Sequence, residues 1–317
     1  MNTPSLSKKF RAAHGRILSL MPPVFIGSIS FMLFVVNTLL WGTFLFPLAA
    51  CKLVMPVRAW QDRCNTVLNT IATCWIACNN ANIAVTKRIR WDVSGIEGLN
   101  AKGWYLVVSN HQSWVDILIL QKVFHRKIPM LKFFLKKELI WVPIMGLAWW
   151  ALEFPFMKRY SKEYLKKNPH MRGKDLEITK KACERFSRMP IAVMNFVEGT
   201  RFTPAKHKAQ GSPFTHLLKP RAGGISFVLS AMGQNLSHIV NTAIIYPGGV
   251  QTFWQFLCSS QAEVVVRVET IPITPDLLGD YSNDPRYQEH FQEWLNRVWE
   301  SKDRAIGDFF RIRGVAA

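Results

Sequence analysis

The sequence is short of acidic residues and of paired cysteines, and each shortage narrows what the protein can be. Asp and Glu number 21 against 40 Lys and Arg in 317 residues, a formal charge of +19. Such an imbalance calls for an anionic partner: phosphate ligands, nucleic acid or an acidic membrane surface. None of the six cysteines forms a C-x-x-C pair; Cys51, Cys64, Cys74 and Cys78 crowd the N-terminal apolar region, while Cys183 and Cys258 stand alone. Reduced, buried thiols are expected. The eight histidines show no H-E-x-x-H or other metal-ligand spacing. There is no zinc finger, arginine-rich array or RNP aromatic motif, which argues against nucleic acid. Repeats and low-complexity tracts are absent too. Present instead are 49% apolar residues, enough for a substantial core, and 12 Trp and 21 Phe. With the positive charge, those aromatic rings favour a membrane surface.

Charge is also missing locally. Residues 1–16 carry Lys8, Lys9, Arg11 and Arg16 and no acid, and Ile17 to Cys51 carry no charge at all. Val24–Phe46 alone gives a helix about 35 Å long, enough to cross a bilayer; Pro22 and Pro23 precede it and Pro47 is expected to close it. A second stretch, Trp60–Ala84, repeats Trp60, Cys64, Val67, Leu68, Ile71, Trp75 and Cys78 at helical spacing. It is more polar, and suits an interfacial helix or the second arm of a hairpin better than a core helix. Leu48-Ala49-Ala50-Cys51 looks like a lipoprotein cleavage box, but the apolar run is too long and the box too late for an ordinary signal sequence.

Beyond Lys87-Arg88-Ile89-Arg90 the pattern is α/β. Strands are expected at Trp91–Ser94, Tyr105–Ser109, Pro129–Phe133, Phe154–Lys158, Ile191–Val197, Val240–Tyr246 and Val264–Thr270. Helices are expected at Lys137–Leu152, Lys174–Met189, Gly224–Met232 and Asp284–Asp303. Alternation of this kind predicts a mixed, mostly parallel sheet flanked by helices, behind an N-terminal membrane helical hairpin. Residues 1–90 are read as membrane-anchoring helices and 91–317 as a catalytic domain that includes the C-terminal helix.

Two segments carry chemistry. Asn110-His111-Gln112-Ser113-Trp114-Val115-Asp116 follows the strand Tyr105–Ser109. Ser113 and Asp116 fit a capping box. His111 and Asp116 equally fit a proton-transfer pair, in which the carboxylate fixes the imidazole tautomer and raises its basicity. Five helical residues rotate by roughly 140°, so the two meet only if His111 lies ahead of the helix and Asp116 reaches back from its first turn. Such a pair suits deprotonation of a substrate hydroxyl for acyl transfer. The second segment, Glu198-Gly199-Thr200-Arg201, ends the strand Ile191–Val197. Its glycine permits close backbone approach, and Arg201 offers a planar fork to phosphate oxygens. Further cations punctuate Lys158-Arg159, Lys206-His207-Lys208 and Lys219-Pro220-Arg221, and Gly223-Gly224 open a helix that could present N–H groups to an anion. Solvated polar loops explain each of these equally well when taken singly.

In order, Asn110–Asp116, Phe156–Arg159, Glu198–Arg201 and Ala243–Pro247 resemble the four motifs of the glycerolipid acyltransferase family typified by lysophosphatidate acyltransferase, over roughly residues 85–275. "FLKKELIWVPIMGLAWWALEFPFMKR" and "FVEGTRFTPAKH" look most like the branch of lysocardiolipin acyltransferases and bacterial inner-membrane relatives. The resemblance implies a glycerol-phosphate acyltransferase-like fold, His111 as general base and Asp116 as its orienting partner. It implies that Glu198, Gly199, Thr200 and Arg201, with Arg159 and the neighbouring Lys158, hold the acceptor's phosphate. Acyl-CoA or acyl-carrier protein would donate the chain to a lysophospholipid, with no metal or organic cofactor. Two departures bear on the acceptor: Glu153 stands where many members have glycine, and Tyr246 with Gly248-Gly249 replaces small aliphatic residues around Pro247.

A cytosolic donor and the positive-inside rule put both the basic N-terminus and the catalytic domain on the cytosolic side of a bacterial inner membrane. The two apolar arms must then return the chain, as a hairpin in one leaflet or as two crossings. Lysophosphatidate is the first acceptor expected, with lysophosphatidylglycerol or lysocardiolipin as the alternative. A non-catalytic membrane adaptor and a thioesterase are rivals of other classes. The run Lys137–Leu152, rich in Leu, Trp and Met, is expected to line an acyl groove.

Overall fold

The structure, a computed structural model, describes residue 18 and residues 20–157, 189–281 and 283–314. The expected helix Lys174–Met189, apart from Met189 itself, lies outside the described residues, as do Cys183, Lys158 and Arg159. The chain opens with two long helices, α1 (Pro23–Val54) and α2 (Arg58–Thr86). Proline is tolerated at the start of α1 because the first-turn N–H groups have no partner inside the helix. Pro47 does not close α1, contrary to expectation; the helix runs through it for two further turns. The lost hydrogen bond is outweighed by packing. Leu45 and Ala49, on either side, are buried in the core, and Lys52 beyond them is held by Asn65 and Glu153.

Among the described residues α1 is the one helix long and apolar enough to cross a membrane. Its Phe25, Phe31, Met32, Val36, Leu39 and Phe44 are exposed. Asn79 and Asn82 of α2 turn inward against α1, and Asn65 meets its last turn. Asn82 Nδ2 donates to the Ser30 carbonyl (2.9 Å), Asn37 Nδ2 donates to Asn79 Oδ1 (2.7 Å), and Lys52 Nζ donates to Asn65 Oδ1 (2.6 Å). The separation along the chain grows with distance from the turn, so the pair is an antiparallel hairpin joined by a polar seam. Unpaired amides on an apolar helix are costly, and pairing across the seam removes part of that cost, while Asn37 Oδ1, Asn79 Nδ2 and Asn80 Nδ2 stay buried without a hydrogen-bond partner.

There follow β1 (Arg88–Ser94), β2 (Tyr105–Ser109), α3 (Val115–Phe124), β3 (Leu131–Phe133), β4 (Leu135–Lys136), a 3-10 turn Lys137–Trp141, α4 (Met145–Ala151) and β5 (Phe156–Met157). After residue 188 come β6 (Ala192–Phe196), α5 (Pro204–Gln210), α6 (Gly223–Met232), β7 (His238–Ile245), α7 (Phe253–Cys258), β8 (Gln261–Pro272) and α8 (Pro285–Arg313). The expected single helix Lys137–Leu152 is split: Pro143 and Ile144, the latter at φ +64°, separate the 3-10 turn from α4. The last helix is ten residues longer at its C-terminal end than expected, and Asp284 caps it by accepting from the Arg286 and Tyr287 N–H groups.

Six strands form one sheet in the order β1-β8-β7-β2-β6-β3, and only β7 and β8 run antiparallel among its pairs. The mixed, mostly parallel sheet expected from the alternation is therefore present. Strand periodicity of two divides its faces. Tyr105 and Val107 of β2 face a layer containing α3 and the inner residues of α1 and α2; Leu106 and Val108 face α6 and α8. Both layers are apolar, which is why the parallel strands read as continuous runs rather than alternating ones. Because β2, β6 and β7 are mutually parallel, their C-terminal ends open on the same edge. Both chemistry-bearing segments leave the sheet there.

Candidate active site

Asn110 leaves β2 and locks its exit to β7. Its Nδ2 donates to the Ile244 carbonyl and its Oδ1 accepts from the Ile244 N–H, each at 2.9 Å. This two-point clamp fixes where His111 begins. The backbone of His111 is then held on both sides by the other motif: its N–H donates to Glu198 Oε2 (3.3 Å), and its carbonyl accepts from the Phe202 N–H (2.7 Å). Its ring stacks on Phe196, the last residue of β6, with centroids 3.9 Å apart and planes 14° apart.

Asp116 reaches back from the first turn of α3 to His111, Oδ2 to Nδ1, at 2.8 Å. The same oxygen accepts from the N–H groups of Gln112 (2.6 Å) and Ser113 (2.9 Å), while Oδ1 accepts from the Tyr246 hydroxyl (2.6 Å). Asp116 is fully buried. A carboxylate can only accept, so Nδ1 carries the imidazole proton and Nε2 is the basic nitrogen. The capping box is half formed. Asp116 takes the Ser113 N–H as the motif requires, but the Ser113 hydroxyl accepts from Val115 and donates to the Gln251 carbonyl. The helix start and the proton-transfer pair thus share one carboxylate.

Glu198 is also fully buried, and its oxygens accept only long bonds, from the His111 N–H and from the Leu218 N–H (3.4 Å). Burial pushes its carboxyl up to about 8, against the pull of those N–H groups and of the Lys302 charge. Lys302, from α8, is itself enclosed beneath the site. Its Nζ donates to the Thr242 carbonyl (2.9 Å), and burial lowers it to about 7 despite Glu198 and Glu269. The Glu198 side chain therefore braces the His111 loop from inside the fold. Gly199 turns the chain at φ +70°, a conformation that costs little only for glycine. Beyond it, Thr200 Oγ1 accepts from Lys206 Nζ (2.8 Å), and the Arg201 guanidinium lies 5.2 Å over the Trp114 ring.

These groups line one cleft of about 770 Å³. Its lining combines the polar His111, Thr200, Arg201 and Arg221, with Gly223 and Gly224 of α6, and the apolar Trp149, Phe133, Leu45 and Trp75. The structure thus brings His111, Gly199, Thr200 and Arg201 to one cavity, with Asp116 and Glu198 directly behind it. Four contributors were not read from the sequence as site residues: Asn110, Phe196, Trp114 and Tyr246. Asn110 lies inside the first motif and Tyr246 is a departure from the family's pattern, but nothing in spacing reveals contacts spanning more than 80 residues.

Comparison with known proteins identifies the family. The Acyltransferase family profile matches residues 90–251, just over half of the chain. The mouse protein named 1-acyl-sn-glycerol-3-phosphate acyltransferase epsilon is 22% identical over 227 residues, covering 65% of this chain and 58% of that protein. The human protein named 1-acyl-sn-glycerol-3-phosphate acyltransferase gamma is 24% identical over 224 residues, covering 66% of this chain and 54% of that protein. The chain therefore spans little more than half the length of these relatives. The crystal structure of the 1-acyl-sn-glycerophosphate acyltransferase PlsC from Thermotoga maritima aligns over 86% of this chain and 95% of its own, at 13% identity and a TM-score of 0.48.

Proposed function

Since this chain belongs to the Acyltransferase family, we propose that it transfers a fatty acyl chain from a thioester, acyl-CoA or acyl-carrier protein, to the free hydroxyl of lysophosphatidate. One observation carries the reading: a carboxylate-oriented imidazole lines a cleft that also holds two arginines and many apolar side chains. The apolar lining suits an acyl chain. Arg201 and Arg221 suit a phosphomonoester, which two guanidinium groups can neutralise.

In the reaction the acceptor hydroxyl gives its proton to His111 Nε2 as its oxygen attacks the thioester carbonyl. Asp116 stabilises the imidazolium through Nδ1. Collapse of the tetrahedral adduct breaks the carbon–sulfur bond, and the departing thiolate takes the proton back. Glu198 acts through the His111 backbone, leaving phosphate contact to Arg201, Thr200 and Arg221. The expected contributions of Arg159 and Lys158 to the same phosphate remain part of the proposal.

The exposed apolar face of α1 supports attachment to a membrane, with residues 1–90 as the anchor and residues 91–317 as the catalytic domain on the cytosolic side of a bacterial inner membrane. The test is transfer of labelled acyl groups from acyl-CoA to a panel of lysophospholipids, with wild type and His111→Ala side by side. Transfer to lysophosphatidate that disappears in the variant supports the reading. Preference for lysophosphatidylglycerol or lysocardiolipin would reassign the acceptor, and release of free fatty acid without lysolipid would make the protein a thioesterase.

A further inference from the structure

Asp116 accepts four hydrogen bonds, and they fall unequally on its two oxygens. Oδ2 takes His111 Nδ1, the Gln112 N–H and the Ser113 N–H; Oδ1 takes the phenol of Tyr246 at 2.6 Å. The first three donors come from the five residues that lead into α3. The fourth comes from the far side of the chain, 130 positions away, just past the end of β7. Its placement follows from the sheet. β7 and β2 run parallel with Ser109 opposite Thr242, so the residues after Ile245 emerge beside the His111 loop.

We propose that Tyr246 is a positioning residue for the Asp116–His111 pair, fixing the rotation of the carboxylate and tempering its effect on the imidazole. The proposal rests on the reading of His111 as the general base. Turning the carboxylate about its Cβ–Cγ bond would pull Oδ2 from its three donors. The short bond to the opposite oxygen adds a restraint from another part of the fold, and so helps keep Oδ2 aimed at Nδ1. The same bond draws negative charge toward Oδ1. Carboxylate charge left on Oδ2 raises imidazole basicity, so the phenol holds that basicity down. A base that is too strong is already protonated at working pH and cannot take the acceptor's proton. Burial and the Asp116 charge keep the Tyr246 phenol protonated well above its ordinary range, so it remains a donor.

The other ionisable groups around His111 are Glu198 behind its backbone, with Lys302 beyond, and Lys136, Arg201 and Arg221 on the walls of the cleft. Tyr246→Phe leaves all of these in place, retains the ring and deletes one hydroxyl. The experiment is titration of labelled histidine by NMR in detergent, with the His111 resonance assigned by its loss in His111→Ala. Acyl transfer is followed in the same samples. In Tyr246→Phe the His111 midpoint should rise by roughly half a unit or more. The acid limb of kcat/KM should move up with it, and kcat should fall roughly tenfold with KM nearly unchanged. Placed in an Asp116→Asn background, the same substitution should cost less than about twofold, because the phenol acts only through the carboxylate.

An unmoved His111 midpoint in a folded Tyr246→Phe protein overturns the proposal, as does an undiminished loss in the Asp116→Asn background. If the midpoint moves but wild type transfers to no lysolipid, the coupling stands and the enzymatic reading fails.

Discussion

Two cavities of similar size lie on either side of α4, and they are built on opposite principles. The cleft with His111, about 770 Å³, joins an apolar wall to exposed cations. The other, about 720 Å³, is lined by the polar side of α2 and by Lys52, Lys132 and Glu153. In the second cavity Lys52, Lys132 and Glu153 find partners within the fold. Lys52 Nζ meets Glu153 Oε1 at 2.5 Å and Asn65 Oδ1 at 2.6 Å, and Lys132 Nζ donates to the Leu152 carbonyl at 2.7 Å. Burial works to raise the Glu153 carboxyl, but the bond and charge of Lys52, with Lys132, outweigh it and hold it below its ordinary range. In the first cavity the cations face outward and the imidazole keeps a nitrogen for an incoming group. The difference separates a junction from a site: charges that cancel one another hold elements together, and charges left open bind and react.

The widest gap between the two should appear on removing one polar group from each. His111→Ala should lower kcat by about a thousandfold, within the range for loss of a general base, whereas Lys52→Met should leave kcat within a few fold. Steady-state transfer assays decide this, and comparable losses at both positions would erase the distinction.

Next in size is Glu153→Gly. Glu153 adopts φ +61°, where glycine is relaxed, so the substitution relieves about 1 kcal/mol of strain. It also leaves Lys52 largely buried without its partner, at a cost of about 3 kcal/mol. Net destabilisation of about 2 kcal/mol should show in thermal unfolding. The double variant Lys52→Met, Glu153→Gly should recover most of it. A single variant more stable than wild type would mean that the ion pair contributes nothing.

Glu198 permits a test by pH. Its folded value of about 8 lies above the ordinary carboxyl value of 4.5. Between those limits the folded state holds more protons than the unfolded, so this group's contribution to stability falls as pH rises from about 4.5 to about 8. Glu198→Gln removes that slope. The variant should gain in melting temperature relative to wild type across this window, although transfer slows because glutamine offers the His111 and Leu218 N–H groups one acceptor oxygen where Glu198 offers two. A constant difference in melting temperature from pH 5 to 8 would contradict the placement of Glu198.

The smallest effect concerns neighbouring tryptophans. Trp149 lines the His111 cleft and Trp150 the polar cavity. Trp149→Ala should shift the preferred acyl length, and Trp150→Ala should not, when donors of graded length are compared. A reversed result would place the acyl groove elsewhere.

Much of this was legible in the residues themselves. Tyr105–Ser109 is an observed strand with the boundaries expected of it, because five consecutive buried residues between polar turns leave little else to form. The His111–Asp116 contact followed from a loop residue placed ahead of a helix start. Other features were less accessible. Pro47 looked like a terminus because the local rule for proline ignores the core contacts of Leu45 and Ala49. The helices α5 and α7, of seven and six residues, are too short for periodicity to reveal. Glu153 and Tyr246 were noticed as departures bearing on the acceptor. Folded, Glu153 bonds to Lys52 and Tyr246 to Asp116.

The amino-acid sequence alone determined the apolar helix, the alternation that makes a mostly parallel sheet, and which histidine and aspartate could meet, since these depend on composition and on neighbours within a few residues. Tertiary structure alone decided that Glu198 is enclosed while Arg201 is open, that Tyr246 reaches Asp116, and that adjacent tryptophans serve different cavities. Those outcomes depend on which strand ends emerge side by side, and only the assembled sheet brings residues 87 and 130 positions apart within hydrogen-bonding distance.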